Sequence, residues 1–188
     1  MVILVTGGSG SGKSEYAENR VLACAEFWKQ KHFSHLPCNE EVHTIYVATM
    51  YPYEEESDKK IARHRSMRAK KQFETVECYT HLEELRIPSP SILLLECMSN
   101  LLANERYRPE GRPEQCVDVI RKGIMHCAEQ AEDLIIVTNE VSSDGICYDP
   151  ETMQYIHLLG KINRMLTQIA DEVVEVVYGI PLFPKKAR

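Results

Sequence analysis

The chain has 188 residues, 44% of them hydrophobic and 27% charged, with a net charge of −6. That length suits one compact domain over residues 1–188 with a substantial core. The acidic balance argues against nucleic acid, which draws a basic excess or stripe. No apolar run is long enough for a membrane span, and the run at 1–5 is too short for a signal peptide, so a cytoplasmic protein is expected.

In chain order, residues 2–6 form a short apolar run closed by glycine, which reads as a buried strand. A helix is expected over 14–30 and a second strand over 44–48. A basic helix follows over 58–71, then a short strand over 74–78 and a strongly apolar one over 92–96. Apolar steps of three and four at Val117, Ile120, Ile124, Cys127 and Ala131 predict an amphipathic helix over 113–131. Residues 134–138 read as another buried strand. The helical period returns over 151–170 at Tyr155, Leu159, Ile162, Leu166 and Ile169, and the strand 173–177 precedes a tail with two prolines. Strands apolar on both faces, alternating with helices, imply an α/β fold: a mostly parallel sheet with helices on both faces. Ligands on such sheets bind beyond the carboxyl ends of the strands.

Between the first strand and helix lies Gly7-Gly8-Ser9-Gly10-Ser11-Gly12-Lys13-Ser14, a full match to the phosphate-binding loop G-x-x-x-x-G-K-[ST] in its required context. Glycines let successive N–H groups turn inward around phosphate oxygens, and the helix start adds its positive dipole end. Lys13 should reach the β- and γ-phosphates, and the Ser14 hydroxyl should bind magnesium. Such a site needs a carboxylate at a neighbouring strand end, which Glu96 supplies; being longer than aspartate, it can act through a water. The fold expected is that of a P-loop, RecA-like protein.

Residues 59–71 hold seven cations, with Lys60, His64 and Arg68 at helical spacing on one face. Composition favours a solvated face balanced by Glu54, Glu55, Glu56 and Asp58. The other reading is a neutral imidazole, its charged form disfavoured among cations, that attacks an α-phosphate. Asn139 and Glu140 either face the phosphates or cap the next turn. The spacing His32-x-x-His35-x-x-Cys38 sits in a polar connection without a second ligand cluster and reads as a loop. The seven widely spaced cysteines read as reduced thiols, several of them buried.

The segments VTGGSGSGKS, YVATM, KIARHRSMR, ETVEC, LLLECMSNLLANE, VTNEV and GKINRMLTQIADEVVEVVYGIPL, in this order, closely resemble the bifunctional adenosylcobinamide kinase/adenosylcobinamide-phosphate guanylyltransferases of cobalamin biosynthesis. The resemblance implies two reactions at one overlapping site. The γ-phosphoryl of ATP or GTP passes to the aminopropanol hydroxyl of the corrinoid adenosylcobinamide. A histidine then displaces pyrophosphate from GTP, holds GMP, and passes it to the corrinoid phosphate. His64 aligns with that histidine, so the resemblance turns the reading of the basic helix from solvated face to nucleophile. It also implies nucleotide contacts at residues 7–14, at Ala48, Thr49 and Met50, at Arg65, Ser66, Met67 and Arg68, and at Glu77 and Glu96. A homotrimer is implied too. Departures fall at Ala69 and Phe73, where the family often has proline and tryptophan, and after Val141, where the turn is one residue longer. Two other readings stand beside this one: a member with a single activity, and a nucleotide-dependent switch with no small-molecule acceptor.

Overall fold

The computed structural model describes residues 1–32, 41–52, 62, 71, 73–141 and 145–187. The basic helix expected over 58–71 lies almost wholly outside these, as do His64, Arg65, Ser66, Met67 and Arg68.

Seven strands form one sheet: β1 (Val2–Thr6), β2 (His43–Ala48), β3 (Glu74–Glu77), β4 (Ser91–Glu96), β5 (Asp133–Val137), β6 (Glu172–Val177) and β7 (Ile180–Lys185). Their spatial order is β3-β2-β4-β5-β1-β6-β7. Every pairing from β3 to β6 is parallel, and β7 runs antiparallel to β6 at the edge.

Alternation along the strands divides the core in two. Ile3, Val5, Ile92, Leu94, Ile135 and Val137 face one side, where they pack with Ala17, Val21 and Trp28 of helix α1 (Lys13–His32). Leu4, Leu93, Leu95, Leu134 and Ile136 face the other, under α2 (Met98–Tyr107), α3 (Cys116–Gln130) and α4 (Pro150–Ile169). Helices therefore cover both faces, as expected from strands apolar on both sides. Among the described residues, no helix is long and apolar enough to cross a membrane.

Three elements depart from the sequence reading. Helix α2 was not expected, because the buried face Met98, Leu101, Leu102 continues into Asn104 and Glu105, whose polarity hides the period. Residues 113–131 divide into a 3-10 turn (Pro113–Gln115) followed by α3, rather than one helix. The proline-containing tail is strand β7; proline lacks an N–H donor and is tolerated at sheet edges, which is where β7 lies.

The buried polar residues of α2 hold the site's frame. Glu105 accepts the backbone N–H of His81 at 2.7 Å and of Arg112 at 3.2 Å. Asn104 donates its amide to the Thr49 carbonyl at 2.8 Å. The Thr49 hydroxyl accepts the Cys97 N–H at 2.7 Å and donates to the Cys97 carbonyl at 2.9 Å. The ends of β2 and β4 are thus locked side by side.

Asn104→Ala should destabilise the protein by about 1–3 kcal/mol, because the buried Thr49 carbonyl loses its amide donor. Urea midpoints check this, and an unchanged midpoint would show that the bond contributes nothing.

Candidate active site

The glycine loop joins β1 to α1, and its backbone is fixed from three sides. Ser11 N–H donates to the Gly8 carbonyl at 3.2 Å, Glu140 N–H to the Gly7 carbonyl at 3.3 Å, and Gly179 N–H to the Ser11 carbonyl at 2.8 Å. Gly7 has φ +151°, and a Cβ there would lie 2.5 Å from the Val176 carbonyl oxygen. Gly12 has φ +91° and packs against Gly179. Any side chain at Gly7 would push the loop off β6, so glycine is required by space as well as by dihedral.

Lys13 folds back over the loop and donates to the Gly8 carbonyl at 2.9 Å. Only 8% exposed, its ammonium has its pKa lowered by burial, against the opposing pull of Cys97 and Glu96. Ser14 donates its hydroxyl to Glu96 Oε1 at 2.5 Å, and Tyr46 donates to Glu96 Oε2 at 3.2 Å. Ser14 lies in the first turn of α1 and Glu96 ends β4, so this contact bridges the strand β5 that lies between β1 and β4. A hydroxyl and a carboxylate converging this closely are hard oxygen donors that fit magnesium, which keeps several waters.

The sequence-predicted contacts at Ala48, Thr49, Met50 and Glu77 come to the same edge of the sheet. One row of register partners runs Val5, Val137, Glu96, Ala48, Glu77 across β1, β5, β4, β2 and β3. Thr49 is fully buried, with its hydroxyl committed to Cys97; Ala48 and Met50 are half-buried and Glu77 exposed. Tyr79 donates its hydroxyl to Glu77 Oε2 at 2.7 Å. Tyr46 is buried and tied to Glu96, which removes it as a stacking surface for a base. The Arg108 guanidinium lies 3.6 Å from the Tyr51 ring centroid, and Tyr79 meets that ring edge-on. His35 and Cys38 lie outside the described residues; His32 bonds the Trp28 carbonyl at 2.9 Å.

Sequence reasoning missed a polar network behind the loop. Asn139 donates to Ser99 Oγ at 2.6 Å, and Ser99 Oγ lies 3.0 Å from the buried Cys97 thiol. Tyr155 donates to the Ser99 carbonyl at 2.9 Å; burial pushes its phenol up to about 12. Burial also pushes the Cys97 thiol up. Asn139 thus ties the end of β5 to the first turn of α2. Its position directly after a buried strand and its place in the VTNEV segment marked Asn139 in the sequence, but not the partners it reaches.

The lowered Lys13 pKa has a consequence for binding. Raising pH deprotonates the free protein's Lys13 below the ordinary lysine value of 10.5 and removes the cation that phosphates need. Affinity for a nucleoside triphosphate should then fall by up to about tenfold per pH unit above that point, with proton uptake on binding. Calorimetry in buffers of different ionisation enthalpy measures this; pH-independent affinity up to 10.5 would contradict it.

Comparisons with known proteins show the family. The model of the family described as cobinamide kinase / cobinamide phosphate guanyltransferase matches residues 3–183. The chain is 28% identical over 194 residues to the bifunctional adenosylcobalamin biosynthesis protein CobU of Salmonella typhimurium (strain LT2), covering 96% of this chain and 97% of that protein. It is 30% identical over 197 residues to the protein of the same description from Escherichia coli (strain K12), again covering 96% and 97%. A solved Pyrococcus horikoshii OT3 structure shares the fold with a TM-score of 0.51 at 9% identity, over 100% of this chain and 87% of that one. With the match running from the first strand to the last, this chain belongs to the cobinamide kinase / cobinamide phosphate guanyltransferase family.

Proposed function

We propose that this enzyme uses one site for two transfers from a nucleoside triphosphate to a corrinoid. In the first, the hydroxyl of adenosylcobinamide attacks the γ-phosphorus of ATP or GTP. The bond from that phosphorus to its bridging oxygen breaks, and the nucleoside diphosphate leaves. Loop N–H groups and Lys13 balance the charge on the β- and γ-oxygens. Magnesium, when bound, supplies further charge neutralisation there, and Ser14 and Glu96 are the residues that would hold it.

In the second transfer, a His64 imidazole nitrogen attacks the α-phosphorus of GTP. A P–N bond forms, the bond to the bridging oxygen breaks, and pyrophosphate leaves. An oxygen of the corrinoid phosphate then attacks the same phosphorus, the P–N bond breaks, and adenosylcobinamide-GDP results.

The observation that carries this reading is the row of register partners on the sheet's carboxyl edge. Four strand spacings of about 4.8 Å separate Val5 from Glu77, about 19 Å in all. That matches the order of length of an extended nucleoside triphosphate with its tail in the glycine loop and its base toward β3. The α-phosphate then falls between, at the mouth of the connection 49–73 that carries His64. Glu77 suits the base end for guanine. Guanine presents N1–H and N2–H side by side, a donor pair that one carboxylate accepts, whereas adenine presents an acceptor at N1. Tyr79 holds the carboxylate in place for this.

We read residues 1–188 as a single domain, acting in the cytoplasm as a homo-oligomer, a trimer by family resemblance. The exposed apolar edge strand β7, with Ile180, Leu182 and Phe183, supports a subunit contact.

Incubation with α-labelled GTP should leave label on the protein that survives base and is released by acid, as a phosphoramidate does. His64→Ala should abolish the label and keep corrinoid phosphorylation, while Glu77→Gln should lower labelling by about 10- to 100-fold. Label persisting without His64 would refute the nucleophile. Nucleotide turnover indifferent to corrinoid would favour a switch.

A further inference from the structure

Tyr46 brings a hydroxyl into a layer that is otherwise apolar around it. Ile92 and Leu94 of β4, Ile135 and Val137 of β5, and Ala17 and Val21 of α1 belong to the same core. Its ring meets Phe73 edge-on, with 6.4 Å between centroids and 73° between planes. Phenylalanine would fill this space as well. At 4% exposure, the phenol carries a group that must find a hydrogen-bond partner inside the protein. Packing alone therefore gives no reason for the hydroxyl.

Strand register supplies one. Tyr46 lies opposite Leu94 and Ala48 opposite Glu96, so Tyr46 and Glu96 are diagonal neighbours on one face of adjacent strands. Tyr46 donates to Glu96 Oε2 at 3.2 Å, while the Ser14 hydroxyl donates to Oε1 at 2.5 Å. Two donors thus hold the two ends of one carboxylate that is 9% exposed. The last torsion of a glutamate has a broad range, so a single hydrogen bond sets the carboxylate plane loosely. A second donor on the other oxygen fixes that plane. Ser14 belongs to the phosphate loop and its helix, which a nucleotide engages. Tyr46 belongs to the sheet, and its place is set by strand pairing and ring packing. We propose that Tyr46 is a positioning residue for the metal site: its hydroxyl fixes the Glu96 carboxylate in the orientation that meets Ser14. This rests on the reading of Ser14 and Glu96 as the residues that hold magnesium.

Tyr46→Phe keeps the ring and removes the donor. Affinity for a non-hydrolysable GTP analogue is measured by calorimetry twice, with saturating magnesium and with EDTA, beside the thermal midpoint. Affinity with magnesium should fall about tenfold or more, the usual loss when a metal-holding carboxylate loses its hydrogen-bond partner. Affinity in EDTA should stay within about twofold, since the phosphate loop is untouched. Added to Glu96→Gln, Tyr46→Phe should weaken magnesium-dependent binding no further, because the two changes act through one group. If Tyr46→Phe fails to fold, Tyr46→Met, whose flexible side chain fills irregular gaps, should show the same split. Unchanged affinity with magnesium, or both affinities falling together, would overturn the positioning role and leave Ser14 and Glu96 as metal holders. Wild-type protein that binds the analogue equally well with and without magnesium would instead overturn the metal reading, and this inference with it.

Discussion

The contact between the Ser14 hydroxyl and the Glu96 carboxylate joins two pieces of chain that are 82 residues apart. It depends on parallel pairing. β1 and β4 must end at the same edge of the sheet, separated only by β5, for a helix start and a strand end to meet at 2.5 Å. Parallel pairing in turn depends on strands that are apolar on both faces, because helices have to cover each side. The site is therefore a product of the whole sheet, and the locks at Thr49, Asn104 and Glu105 keep its edge in register.

Much of that frame could be read in the chain. Val2–Thr6 and the row of leucines before Glu96 announce buried strands by composition alone, and the glycine loop is legible because its chemistry demands a fixed spacing. What escaped reading did so for physical reasons. Helix α2 buries Asn104 and Glu105, which satisfy distant backbone groups and so break the apolar period. Strand β7 carries prolines that only an edge position excuses. The burial of Glu18 against Lys71, 53 residues further along the chain, likewise leaves no local trace in the sequence. Resemblance to a family, rather than periodicity, singled out His64 from among seven neighbouring cations.

The proposed chemistry asks one triphosphate to be gripped at its tail and attacked nearer its sugar. Those demands differ. Transfer of the γ-phosphoryl needs the loop, Lys13 and the Ser14–Glu96 pair. Attack at the α-phosphorus also needs a nucleophile delivered from the connection between β2 and β3. The sheet edge presents Glu77, Ala48 and Glu96 in one row, the row on which that proposal stands.

Exchange of labelled pyrophosphate into GTP, in the absence of corrinoid, tests this shared grip most directly. Reversible guanylylation at one site requires the loop to hold pyrophosphate while the histidine carries GMP. Exchange should be present in the wild-type protein and lost in both Ser14→Ala and His64→Ala. Wild-type exchange rates in the Ser14 variant would show that the loop and the nucleophile serve different nucleotides, and would contradict the account.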